Sequence, residues 1–226
     1  MERSPGPLIA SGRAADVYEF GEGQVLRRYK VEFNCEPEAE VMSYLYDHGV
    51  PVPRVFDARG RDLVMERLDG PTMIDAISRR PWTLRAMAHE MARIQRQLNA
   101  VAPPAGLACR FGDPIGVLHF DLHPVNIIMT SVGAKLIDFS SVMAGDPAAD
   151  VAQSWVIMAT SEIPGSAFER AIGALGRRAL VSTYLRDAGR DRAREFLADV
   201  AQFRLGDVHV TNAERARIRA LAERHG

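Results

Sequence analysis

Apolar and polar positions alternate through the first third of the chain. "PLIAS" (7–11) is short and apolar, while "DVYEF" (16–20) and "QVLRRY" (24–29) alternate, which predicts three strands. "GEG" at 21–23 supplies the tight turn of a hairpin between the last two, and the earlier connection "SGRAAD" carries Gly12. "EPEAEVMSYLYDHG" (36–49) reads as a helix, with Glu36, Pro37 and Glu38 suited to its first turn and Gly49 to its end. Glu38, Met42 and Leu45 fall at i, i+4 and i+7, so a carboxylate shares the inward face. Such a carboxylate needs a partner or an opening to solvent, although a first-turn glutamate is also what the helix dipole favours. "PVPRVFDARGRDLVMERL" (51–68) adds two strands around the turn "ARGRD". About five antiparallel strands and one helix therefore precede residue 68, and "DGP" breaks the pattern there.

From residue 72 the period changes. Leu84, Met87, Ala88, Met91, Ile94 and Leu98 mark an amphipathic helix, and a methionine stripe at this spacing is core. "APPAGLACRFGDPIG" (102–116) predicts a loop. "VLHFDLHPVNIIM" (117–129) reads as strand, loop, strand. "AKLIDF" (134–139) pairs with "NIIMT" through a turn at Ser131–Gly133, and helices follow from Pro147. The expected class is α+β, with a β-rich N-terminal lobe at 1–68 and a mostly helical C-terminal lobe at 69–226. The second lobe is expected to hold the polar loop 119–126 and the segment 136–140.

Composition narrows the function. The chain has 226 residues, 47% of them hydrophobic and 25% charged, with a formal net charge of −1. That balance is ordinary for a globular protein and gives no bulk field to attract nucleic acid or an anionic membrane. Lys30 and Lys135 are the only lysines, which limits where lysine chemistry can occur. Cys35 and Cys109 form no CxxC motif, and a reduced, cytoplasmic setting is expected. "MERSPGPLIASG" lacks the apolar core of a signal peptide, and the apolar stretch "VAQSWVIMA" is too short to span a bilayer.

The densest chemistry lies at 117–129. His119, Asp121 and His123 alternate and would share one face of an extended segment, as zinc ligands could. Against this, His48, His89, His209 and His225 are scattered with no second cluster, and Pro124 ends the extended pattern. A second reading takes Asp121 and Asn126 as the H-x-D-x-x-x-x-N pair of a kinase catalytic loop, followed by Asp138 in "LIDF". Phosphoryl transfer needs one carboxylate at the attacking hydroxyl and hard oxygen ligands for magnesium. This set supplies both.

"LHFDLHPVNIIM" followed by "LIDF" resembles the aminoglycoside phosphotransferase family of small-molecule kinases, which are protein-kinase-like in fold. "EPEAEVMSYLYDHGVPVPRVF", "LVMERLDG" and "GDPAADVAQ" extend the resemblance over roughly residues 8–160. It implies ATP or GTP and Mg²⁺ as cofactors and a small-molecule hydroxyl as acceptor. By the same resemblance Asp121 is the catalytic aspartate, and Asn126 and Asp138 are the metal ligands. Gly12 would lie in the phosphate-covering loop, and Glu38 would pair with the phosphate-binding base. Glu66 and Leu68 would meet the adenine through their backbone, with Met65 behind them. His119 and His123 then become loop architecture.

The chain also departs from the family pattern. Arg27 stands where a lysine is expected, and Lys30 falls on the opposite face of the strand. Phe120 replaces a glycine, either to fill core or to narrow the acceptor site. Ser140 replaces an acidic residue or glycine, and the N-terminal loop has one glycine where protein kinases have three. The alternative these motivate is a nucleotide-binding pseudokinase or scaffold module of the same fold. The acceptor is not legible. Asp187, Asp191, Glu195, Asp199 and Asp207 could attract a polycation, but arginines interleave with them as on solvated helix faces.

Overall fold

The computed structural model of the protein describes residues 4–163 and 165–225. The chain forms two compact units, one of residues up to 70 with 128–140, the other of 71–127 with 141 onward.

In the first unit the alternating segments form one antiparallel sheet. Its strands are β1 (Leu8–Ser11), β2 (Ala15–Glu19), β3 (Gln24–Tyr29), β4 (Val55–Arg59) and β5 (Asp62–Glu66), in the order β1-β2-β3-β5-β4. Gly21 and Gly23 in the β2–β3 turn take φ of 65° and 66°, a left-handed conformation that glycine adopts without steric cost. Central β3 buries Val25, Leu26, Arg27 and Tyr29. Helix α1 (Glu36–Asp47) has a proline in its first turn and buries Glu38, Ala39, Val41, Met42 and Leu45, so the inward carboxylate read from the spacing is present.

The second unit begins with α2 (Met73–Arg79), capped by the Thr72 hydroxyl, and α3 (Leu84–Asn99), which buries Ala88, Met91, Ile94 and Leu98. Strands β6 (Cys109–Phe111) and β7 (Gly116–Leu118) follow, so the segment 102–116 is more ordered than the expected loop. A Cβ on Gly116 would lie 2.1 Å from the carbonyl oxygen of Asn99, so only glycine lets β7 pass the end of α3.

After the 3₁₀ turn Pro124–Asn126 the hairpin β8 (Ile127–Thr130) and β9 (Gly133–Leu136) enters the first unit. Leu136 N–H donates to the Pro51 carbonyl at 2.8 Å, and Lys135 Nζ reaches Glu66 at 2.6 Å. These bonds group the segment 136–140 with the first unit, where the sequence reading assigned it to the C-terminal lobe.

The chain then adds β10 (Met143–Gly145), which lies between β6 and β7 in a small three-stranded sheet. Helix α4 (Pro147–Thr160) is apolar on nearly every side and is buried accordingly. Helices α5 (Ala167–Ala188), α6 (Arg190–Glu195), α7 (Leu197–Leu205) and α8 (Asn212–His225) complete the unit, with α3 packed along α5 and α4 against α7. Among the described residues no helix is long and apolar enough to cross a membrane.

Candidate active site

In the second unit, β7 delivers the chain to a loop that one buried carboxylate holds in shape. Asp150, in the first turns of α4, is fully buried. Its Oδ1 accepts the Phe120 N–H at 2.8 Å and its Oδ2 accepts the His119 N–H at 3.2 Å. Asn99 Nδ2, at the end of α3, donates to Asp150 Oδ2 at 2.9 Å and to the Val117 carbonyl at 2.8 Å. Three elements therefore fix the entry to the loop.

The entry is bent. Phe120 takes φ of 62°, a conformation that costs a non-glycine residue roughly 1–2 kcal/mol. That is where the resembling family carries glycine. Here the ring offsets the cost through burial. It stacks on Phe111 with centroids 4.9 Å apart and meets Phe203 edge-on at 5.3 Å. Phe120 fills core and turns the chain so that Asp121 emerges.

Asp121 is partly open, with 30% of its side chain accessible. Asn126 Nδ2 donates to the Asp121 carbonyl at 2.9 Å and to its Oδ2 at 3.2 Å. The two imidazoles serve the loop backbone. His119 Nδ1 accepts the Asp121 N–H at 3.2 Å, and His123 Nδ1 accepts the Val125 N–H at 3.3 Å, capping the 3₁₀ turn. His123 Nε2 stands 3.8 Å from Asp121 Oδ2. Among the described residues no group of three His, Cys, Asp or Glu side chains is disposed to hold a metal.

In the first unit, Arg27 sits at the centre of a second cluster. The register places it on β3 opposite Val17 and Leu63, and it is buried. Nη1 donates to Glu38 Oε1 at 2.9 Å and Nη2 donates to Asp138 Oδ1 at 2.7 Å. Tyr29 donates its hydroxyl to Glu38 Oε2, and the Phe139 N–H donates to Glu38 Oε1 at 3.2 Å. Ser140 Oγ donates to Asp138 Oδ1 at 2.9 Å. Burial works against the guanidinium charge, but the carboxylates of Asp138 and Glu38 outweigh it and hold the Arg27 pKa above its ordinary value. Burial pushes the Glu38 carboxyl up, opposed by Arg27 and the Tyr29 hydroxyl. Asp138 lies beyond the end of β9, with φ of 68°, where the sequence reading extended the strand through Phe139.

Other expected site residues fall as follows. Gly12 closes the β1–β2 turn, its N–H donating to the Ala15 carbonyl at 2.9 Å. Lys30 braces that turn from the end of β3, with Nζ 2.7 Å from the Gly12 carbonyl and 3.2 Å from Asp16 Oδ1. Met65 pairs between Val25 and Val55 within the sheet. The Glu66 carboxylate is held by Lys135 at 2.6 and 2.7 Å, and the Glu66 backbone N–H donates to the Arg54 carbonyl at 2.8 Å. Leu68 follows the end of β5.

Sequence reasoning assigned no role to Asp150, Asn99 or Tyr29. Asp150 did leave a signal, as a lone charge in the apolar helix "PAADVAQSWVIM".

Against known proteins, the family model described as "Phosphotransferase enzyme family" matches residues 6–114 and 96–196. A probable serine/threonine-protein kinase BUD32 homolog of Archaeoglobus fulgidus is 27% identical over 114 residues, 50% of this chain and 45% of that protein. The chain thus aligns with somewhat less than half the length of that curated relative. Among solved structures, a thermostable mutant of aminoglycoside phosphotransferase APH(4)-Ia, in ternary complex with AMP-PNP and hygromycin B, superposes with a TM-score of 0.64 at 15% identity. That alignment covers 96% of this chain and 92% of that one. A choline/ethanolamine kinase family protein from Mesorhizobium loti gives a TM-score of 0.58 at 17% identity, covering 97% and 91%. At these identities the likeness is one of fold, and the fold is protein-kinase-like.

Proposed function

From a chain that belongs to the phosphotransferase enzyme family, we infer an ATP-dependent kinase that moves the γ-phosphate to a hydroxyl of a small molecule. The observation that carries this reading is the pairing of Asp121 with Asn126. Asn126 spends its Nδ2 on Asp121, which orients that carboxylate and leaves Oδ1 as the amide atom able to meet a cation. Asp121, partly open and ringed by hydrogen bonds, is the group that accepts or orients the acceptor proton.

The donor set fits magnesium. Asp138 and Asn126 Oδ1 are each hard oxygen donors of the kind magnesium takes. Bound magnesium would neutralise charge on the nucleotide phosphates. Arg27, fixed by Glu38, supplies the cation for phosphate oxygens in place of lysine. The backbone at Glu66 and Leu68 is the candidate adenine contact, with Gly12 in the turn over the phosphates.

The names of the fold neighbours suggest which acceptors to test first: amino alcohols such as choline and ethanolamine, and aminoglycosides. The engagement of Asp138 by Arg27 favours the alternative of a nucleotide-binding module without transfer. One experiment separates the two. Purified protein is incubated with ATP and magnesium against a panel of amino alcohols, aminoglycosides and sugars, and phosphorylated products are read by mass spectrometry. A product with at least one acceptor supports the kinase. ATP binding with no product across the panel supports the binding module.

A further inference from the structure

Arg27 does two things at once. One arm of its guanidinium holds Glu38, whose side chain is 3% accessible, and the other holds Asp138, whose side chain is 33% accessible. The Glu38 arm is locked further, because Tyr29 and the Phe139 N–H also bind that carboxylate. The Asp138 arm is the open one. A lysine has a single ammonium and could not bridge two carboxylates with the fixed fork of a guanidinium.

We propose that Arg27 and a divalent metal compete for Asp138, and that a nucleotide phosphate relieves the competition by taking the second arm of Arg27. The inference rests on the nucleotide-binding reading given above. A phosphate group accepts the planar fork as well as a carboxylate does, and carries more charge. Arg27 can change partner through Nη2 while Nη1 stays on Glu38, so the buried pair is never broken. Asp138, once released, adds its charge to that of the phosphate beside Arg27, and a metal ion is then the group that reconciles the two anions. Metal and nucleotide therefore bind with positive coupling, and by reciprocity each raises the affinity of the other by the same factor. The arginine substitution, which looks like damage to a kinase, becomes a device that keeps metal off Asp138 until nucleotide is present.

Two binary affinities test this without any turnover. Mn²⁺ alone is titrated into the protein and followed by its electron paramagnetic resonance signal, and ADP is titrated separately in excess EDTA. Arg27→Lys keeps one charge for Glu38 and removes the Nη2 arm from Asp138, which still accepts from Ser140 Oγ, and circular dichroism checks that the variant folds. The proposal expects Arg27→Lys to tighten Mn²⁺ alone by about tenfold. It expects Asp138→Ala in that background to remove the gain. It expects Asp138→Ala in the otherwise wild-type protein to tighten metal-free ADP, with a clearly smaller effect in the Arg27→Met background. Unchanged Mn²⁺ affinity in Arg27→Lys overturns the exchange while leaving the nucleotide site intact. An equal gain in ADP affinity in the wild-type and Arg27→Met backgrounds also overturns it, since simple removal of a negative charge would then suffice. Failure of ADP to bind any variant overturns the nucleotide reading itself, and the exchange with it.

Discussion

Asp150 Oδ1 lies 2.8 Å from the backbone nitrogen of Phe120, and the same carboxylate also accepts the N–H of His119. One buried side chain thus closes the two amides that lead into the Asp121 loop. Asp150→Ala leaves buried N–H groups unsatisfied and removes one of the two bonds of the Asn99 amide. Urea unfolding should show a loss of about 2–5 kcal/mol. Asp150→Asn keeps the shape but turns a donor towards donors, and its loss should be smaller, about 1–3 kcal/mol. If both variants match wild type in stability and in ATP turnover, the carboxylate does not position the loop.

Phe120 offers a test of opposite signs. Glycine at this position would relieve the strain at φ 62° but would delete a ring packed between Phe111 and Phe203. Emptying a buried phenylalanine costs about 3–5 kcal/mol against roughly 1–2 gained from the backbone. Phe120→Gly should therefore destabilise by about 1–4 kcal/mol in chemical denaturation. A variant as stable as wild type would mean that the helical unit repacks over the gap.

Asp121→Asn should separate binding from turnover. The side chain keeps its size and its place beside Asn126 but cannot take a proton from an acceptor. Phosphoryl transfer should fall by about 10²-fold or more while ATP affinity changes little. Undiminished transfer would remove Asp121 from the mechanism.

Arg27→Ala strips the buried Glu38 of its cation. Breaking a buried pair from one side costs about 3–5 kcal/mol, so the melting temperature should drop together with nucleotide affinity. Arg27→Lys should recover part of both. Loss of stability with full nucleotide affinity would make Arg27 a purely structural residue.

Local order was legible in the sequence. Glu38 is buried beside Met42 and Leu45 because helical spacing alone dictates a shared face. The five-stranded sheet follows from alternation and glycine turns; strand parity separates Arg27 from Lys30, while the pairing of Arg27 with Glu38 was implied by the family resemblance. Non-local choices were not legible. β6 and β10 are three-residue strands, too short to show a period, and they pair across a long stretch of chain. The left-handed backbone at Phe120 leaves no mark in residue type, and at Asp138 only the weak one that aspartate tolerates this region better than most side chains. The inward ring of Phe120 and the second arm of Arg27 both depend on those two bends.

The central claim is that the Asp121, Asn126 and Asp138 set serves ATP chemistry. Its most direct test is slow magnesium-dependent hydrolysis of ATP by the purified protein, compared with Asp138→Ala. The account predicts ADP release that requires magnesium and disappears in the variant. Release that persists unchanged in Asp138→Ala, or no magnesium-dependent release from wild type, would contradict it.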